Sequence, residues 1–396
     1  MLTDPQRYAR RGRDMRVLRR TVCLAAVAAL LGPGLAACSS GQAGKGAAGT
    51  TPGSSAQGSP AQGSSVQAVA AVSRNVSFVV GGTTTYGTLD VPAHRSGQRL
   101  AAALLLAGSG PTDRNGNDIA ANLAPYTLQL IAGELARTGV MSLRFDKYFS
   151  GETGGGAFAT DPSSIDLAAY IRQADAAYDF LRVQPETDTG RMLVVGHSEG
   201  GMYALLVAES TAPHPAGLAL IEPQDERLLS LIQLQADEQI DATVGQGTLT
   251  AASGTQNAAG VRRAISEFRA GQPVDTRGLA PGVVQLITPE LLSPVNARYV
   301  RSDDAVYPPS VAARLARGTR VLVTDGTADT NVPVSTIKPL VSALTAAGAT
   351  GPGLRVLEGV NHLLHLPGVS ASTQVLAPAA VAALQDWASP FALPGE

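Results

Sequence analysis

The chain has 396 residues, with 30 basic side chains against 32 acidic ones and a formal net charge of −2. That length allows about two domains, or one large enzyme fold with insertions. Charged residues make up 16% and hydrophobic residues 44%, which excludes a highly charged disordered chain and a basic-faced nucleic-acid binder. Two cysteines exclude a disulfide scaffold and a multi-cysteine zinc or iron–sulfur site.

The near-neutral total conceals an uneven distribution. Residues 1–37 hold seven arginines against two acids, a surplus of +5 that leaves −7 for the rest of the chain. The apolar stretch 21–37 is 17 residues long and interrupted by Gly32-Pro33-Gly34. It is shorter than the roughly 20 residues a spanning helix needs. A basic start, a short apolar run and small residues ahead of a cut site describe a secretory signal peptide. Leu35-Ala36-Ala37-Cys38 resembles the lipobox of bacterial lipoproteins, which implies cleavage before Cys38 and a lipid on its thiol. The expected location is then the outer face of the cytoplasmic membrane, reached through a lipid anchor; Arg19-Arg20 leaves general or twin-arginine export open. Residues 38–70 are almost all Gly, Ser, Ala, Gln, Thr and Pro, with Lys45 the only charge. Such a stretch buries too little apolar surface to offset its ordering entropy, so a flexible tether is expected there.

The remainder, 71–396, changes pattern. Residues 76–80 and 84–91 flank Gly81-Gly82 and read as a hairpin. Apolar runs then follow at 101–107, 140–145, 192–196, 218–221, 320–324 and 354–357, with helical patterns at 126–138, 165–183, 201–210 and 334–347. Strands apolar throughout and separated by helices indicate a mostly parallel sheet covered on both faces. Ninety-nine positions separate Ile221 from Arg320, more than one crossover helix requires. Helical patterns at 228–236, 260–270 and 283–292 make residues 224–312 a candidate cap over the sheet's carboxyl edge.

Gly196-His197-Ser198-Glu199-Gly200 leaves the apolar run 192–196 and enters a helical pattern. This is a G-x-S-x-G turn in its strand–turn–helix setting, which lifts the serine hydroxyl to the start of a helix. Such a serine requires an acid and then a histidine later in the chain. Of five histidines only His362 and His365 lie suitably downstream. His362 leaves the last strand in Glu358-Gly359-Val360-Asn361-His362, and His365 reads as a packing or rim residue. Asp329 follows the strand 320–324 and precedes Pro333, where it can reach an imidazole; Asp325 is closer to the strand and reads as structural.

With these segments the chain resembles the α/β-hydrolase superfamily, in its serine-aminopeptidase-like and monoacylglycerol-lipase-like branch of bacterial carboxylesterases. Leu106-Ala107-Gly108-Ser109-Gly110-Pro111 is similar to its oxyanion loop, and Leu143-Arg144-Phe145-Asp146-Lys147 to its next strand end. Gly326-x-x-Asp329-x-x-Val332-Pro333 and Asn361-His362 are similar to its acid and base segments. Ala107 stands where many members have His, and Tyr148-Phe149-Ser150-Gly151 replaces the usual Arg-Gly. The resemblance implies an α/β fold and an ester-cleaving serine hydrolase with Ser198, His362 and Asp329 as its triad. It implies backbone N–H groups of Ser109 and Glu199 as the oxyanion donors, an acyl ester or amide as substrate, and neither metal nor organic cofactor. A peptidase or amidase shares that triad, and a binding lipoprotein on an inactive hydrolase scaffold is the alternative outside enzymology. Dehalogenase and epoxide hydrolase relatives carry Asp at the nucleophile position, unlike this chain.

Three further motifs are weaker. Residues 113–118 resemble a calcium loop only loosely, with glycine at the fourth position and Ala124 at the twelfth. Gly154-Gly155-Gly156 lacks the Gly-Lys-Ser/Thr of a phosphate cradle. The Glu199 side chain is expected to be solvated, capping, or an influence on substrate charge.

Overall fold

A computed structural model describes residues 67–370 and 372–392. The expected signal peptide, Cys38 and nearly all of the expected tether lie outside them. The strands are β1 (Ala68–Val69), β2 (Val72–Val80), β3 (Thr83–Val91), β4 (His94–Arg95), β5 (Leu100–Leu106), β6 (Met141–Phe145), β7 (Thr187–His197), β8 (Gly217–Ile221), β9 (Arg320–Gly326) and β10 (Thr350–Leu357). The helices are α1 (Thr127–Arg137), α2 (Leu167–Arg182), α3 (Glu199–Ser210), α4 (Leu228–Gly245), α5 (Ala251–Arg269), α6 (Pro281–Ile287), α7 (Ala297–Asp304), α8 (Pro308–Ala312), α9 (Lys338–Ala347) and α10 (Pro378–Ala388).

Eight strands form one sheet in the order β10-β9-β8-β7-β5-β6-β3-β2, and β1 pairs separately with β4. Only β3 runs against its neighbours: it is antiparallel to β2 and β6, while β5 through β10 and β6 pair in parallel. Counted along the chain, the eight strands run 1-2-4-3-5-6-7-8. With helices on both faces and a strand–serine–helix turn after the fifth, this is the α/β-hydrolase fold.

Alternation along the central strands divides the core into two layers. Leu100, Ala102, Leu104 and Leu106 of β5 face the layer that holds α2, α3 and the helices following β8. Ala101, Ala103 and Leu105 face the opposite layer, closed by Leu128, Ile131 and Leu135 of α1 and by Leu384 and Trp387 of α10. Fully burying each of these leucines contributes about 1.5–3 kcal/mol, and burial on both faces is why the strands read as unbroken apolar runs.

Between β8 and β9 the chain forms α4 through α8, with one π-helical turn at Thr288–Leu292. Polar contacts brace this stretch internally. The Arg269 guanidinium holds Asp304 at 2.7 and 2.8 Å, and Asp304 Oδ1 accepts the Leu229 N–H at 3.0 Å. β1 lies within the last residues of the Gly/Ser/Ala-rich stretch expected to be a tether.

Candidate active site

Parallel strands deliver their following loops to one edge of a sheet, and the open α/β architectures bind ligands there. β5, β7, β9 and β10 bring Ser109, Ser198, Asp329 and His362 to that edge. At the end of β7 the chain turns so sharply that Ser198 takes φ 58° and ψ −125°, a costly conformation for a residue with a Cβ. The surrounding glycines make the turn possible. A Cβ on Gly196 would lie 1.9 Å from the Gly200 carbonyl oxygen, and one on Gly200 would lie 2.3 Å from that of Leu106. The serine is tied from both sides: its N–H donates to Ile221 at 2.9 Å, and its C=O accepts from Gly201 at 2.8 Å and Gln224 at 2.9 Å.

Ser198 Oγ lies 2.9 Å from His362 Nε2, and His362 Nδ1 lies 2.6 Å from Asp329 Oδ2. Three residues far apart in sequence thus form one line of hydrogen bonds. Asp329 Oδ1 is occupied separately by the N–H groups of Asn331 at 2.7 Å and Val332 at 3.0 Å. The acid and base loops approach closely because Gly326 has no side chain; a Cβ there would meet the Val360 carbonyl oxygen at 2.1 Å. Asn361 shapes the base loop, its Oδ1 accepting N–H groups of Leu363 and His365, both at 3.0 Å.

Electrostatics single out Asp329 from the buried carboxyl groups that its charge acts on, Glu222, Asp225 and Asp325. Burial opposes the charge on Asp329, but His362 and the two amides outweigh it and hold the carboxyl below its ordinary range. Its neighbours go the other way. Burial, with the Asp329 charge nearby, pushes Asp325 up to about 8, and burial pushes Asp225 to about 7. Glu222 is raised strongly for the same two reasons. The carboxylate facing the imidazole is thus held toward its ionised form, and its three neighbours are pushed toward their neutral forms. Glu222, Asp325 and Asp329 each place a carboxylate oxygen within 4.8 Å of the other two, a spacing compatible with a cation. The oxygens of Asp329 are already engaged, however, which leaves that trio short of ligands for one.

His197, the variable residue inside the glycine turn, is a site residue that sequence reasoning passed over. It is buried, and its Nε2 donates to the His362 carbonyl at 2.8 Å. Burial, reinforced by the neighbouring His362 ring, lowers it to about 4, so it is a neutral brace for the base loop at ordinary pH. The only sequence signal for it was its place beside Ser198.

Ser109 and Glu199 flank Ser198, one on the loop after β5 and one at the start of α3. The Glu199 N–H opens α3, where helix geometry leaves it without an internal acceptor. Among the described residues neither that N–H nor the one of Ser109 has an acceptor. The Glu199 side chain departs from expectation: it is 2% exposed rather than solvated, and it meets Lys147 and Tyr299 behind the turn. His365 is buried at 1% exposure, away from the line of hydrogen bonds. The 113–118 loop braces itself, with Asp113 Oδ1 accepting from Asn115 at 2.8 Å and Asn117 at 3.0 Å, and with Arg114 bound to Asp146.

No protein-family model and no curated protein matches the chain. Solved structures similar to it include Est1E from Butyrivibrio proteoclasticus with ferulic acid bound, at 15% identity and TM-score 0.45 over 73% of this chain and 91% of that one. The α/β hydrolase GrgF from Penicillium sp. sh18 aligns at 17% identity and TM-score 0.46, covering 74% and 91% of the two chains. The Pyrococcus furiosus esterase PF2001 aligns at 13% identity and TM-score 0.45, covering 74% and 84%.

Proposed function

We propose that this chain is a serine hydrolase that cleaves carboxylic esters through an acyl-enzyme. The observation that carries the reading is the continuous line from Ser198 Oγ to His362 to Asp329, set at a strained turn on the carboxyl edge of the sheet. His362 Nε2 accepts the hydroxyl proton as Ser198 Oγ bonds to the acyl carbon. Ionised Asp329 fixes the tautomer with Nδ1–H and stabilises the imidazolium that forms. The tetrahedral oxyanion accepts hydrogen bonds from the N–H groups of Ser109 and Glu199. As that intermediate collapses, the C–O bond to the alcohol breaks and the imidazolium returns the proton to the leaving oxygen. Water then attacks the acyl-enzyme with His362 again as base, releasing the acid and restoring the serine.

A membrane-surface location is part of the same reading, with the body carried on a lipid at Cys38 through the stretch 38–70. No helix of the described residues is long and apolar enough to cross a membrane.

Parallel assays with activated short-chain esters and aminoacyl amides test the activity. Ester turnover is expected, and Ser198→Ala is expected to lower it by about 10⁴–10⁶-fold. Turnover of amides in preference to esters would redirect the assignment to a peptidase or amidase, and an equally active Ser198→Ala variant would overturn it.

A further inference from the structure

The two amides assigned to the oxyanion belong to separate loops, one after β5 and one after β7, and something must fix their relative position. Lys147, just past β6, is 3% exposed. Its Nζ donates to the carbonyl oxygen of Gly108 and lies 3.4 Å from Glu199 Oε2. Gly108 C=O and Ser109 N–H are opposite ends of one planar trans peptide, so a cation that orients the carbonyl also orients the N–H. It polarises that amide as well, which strengthens the donor. Glu199, the other end of the ion pair, carries the second amide on its own backbone. One buried salt bridge therefore joins both loops.

The pair is itself boxed in. Lys147 sits 5.7 and 5.9 Å from the ring centres of Tyr170 and Tyr203. From α7, Tyr299 donates to Glu199 Oε1 at 2.5 Å, and its hydroxyl also lies 2.8 Å from that of Tyr203. One turn along α7, Asp303 accepts the Gln224 side chain at 2.9 Å, and Gln224 donates its backbone N–H to the Ser198 carbonyl.

We propose that the Lys147–Glu199 ion pair positions the oxyanion site, aligning the Ser109 and Glu199 amides from behind, with Tyr299 of the cap locking it in place. This rests on the hydrolase reading above. Lys147 and the Glu199 carboxylate act through backbone amides and touch no substrate.

The test uses the full chain with an activated short-chain ester, the variants Lys147→Met and Glu199→Gln, and the double variant Lys147→Met/Glu199→Leu. Each single change is expected to lower kcat about ten- to hundred-fold with KM held within about threefold, as misplaced oxyanion donors do. Each single change also leaves a buried group unpaired and lowers the melting temperature, whereas removing both charges restores it. The double variant is therefore expected to regain stability while kcat stays low. In the same series, affinity for a boronic acid that forms a tetrahedral adduct on the serine should fall with kcat, and affinity for the carboxylate product should not. Recovery of kcat together with stability, or kcat within about twofold of wild type in the single variants, would overturn the positioning role alone. Turnover that survives Ser198→Ala would overturn this inference and the hydrolase reading together.

Discussion

Ser198 is held at φ 58°, a conformation that costs of order 1–3 kcal/mol and lifts its hydroxyl clear of the sheet. Around the acid the same economy of charge applies: Asp329 is ionised while Asp225, Asp325 and Glu222 are pushed toward neutrality by burial and by its field. An acid whose pKa is higher folded than unfolded stabilises the native state below its unfolded value, and that contribution is lost as pH rises through the folded value. For Asp325 the window runs from its ordinary 3.8 to about 8. Asp325→Asn, which mimics the neutral acid, is therefore expected to raise the melting temperature above wild type by several degrees at pH 8, with the difference closing toward pH 5. Melting curves across that range check the sign; a variant less stable than wild type at pH 8 contradicts it. At this scale the sequence was legible where chemistry leaves a pattern: a glycine-framed serine, then an acid, then a histidine in the required order. The Lys147–Glu199 pair left none, because its partners are 52 positions apart and a buried glutamate beside a helix start has the same one-letter code as a capping one. His197 was hidden for a similar reason, since its bond is to a backbone carbonyl 165 positions away.

Among the elements, the central strands were readable because both of their faces are buried. β7 extends five residues before its apolar run, at Thr187–Arg191, where only Thr187 is buried and the polar side chains carry no apolar signal. β10 is an edge strand with only Leu357 buried, so only its last residues carried an apolar signal. α10 was not assigned from sequence, although Pro378 at its start, an alanine-rich body and Leu384 and Trp387 three apart are helix signals. Its importance comes from packing. Trp387 is fully buried, stacks edge-on against Phe391 and donates its indole N–H to the Arg320 carbonyl at 3.2 Å, tying the last helix to the start of β9. Trp387→Ala is expected to cost about 3–5 kcal/mol through the cavity it leaves. Urea unfolding measures this, and a loss under 1 kcal/mol would remove α10 from the core account.

In the whole molecule, the long segment between β8 and β9 is placed by the network that also holds the Ser198 turn. Tyr299 and Asp303 of α7 reach Glu199 and Gln224, so this segment and the Ser198 turn share their buried polar contacts. Sequence spacing foretold an insertion there but not its attachment, which depends on side chains meeting across about a hundred residues. The near-neutral composition also resolves into two parts, basic over residues 1–37 and acidic over the rest. If the body hangs from a lipid at Cys38, Cys38→Ser is expected to move the protein from the membrane pellet to the soluble fraction after export, with ester turnover per molecule unchanged. Membrane retention of that variant would contradict the anchor. The central claim concerns Ser198, and intact-mass analysis after treatment with a fluorophosphonate, followed by peptide mapping, tests it most directly. A single phosphonyl adduct located on Ser198, slowed strongly in His362→Ala and absent in Ser198→Ala, is the predicted result; a folded protein that takes up no adduct, or takes it up elsewhere, would contradict the account.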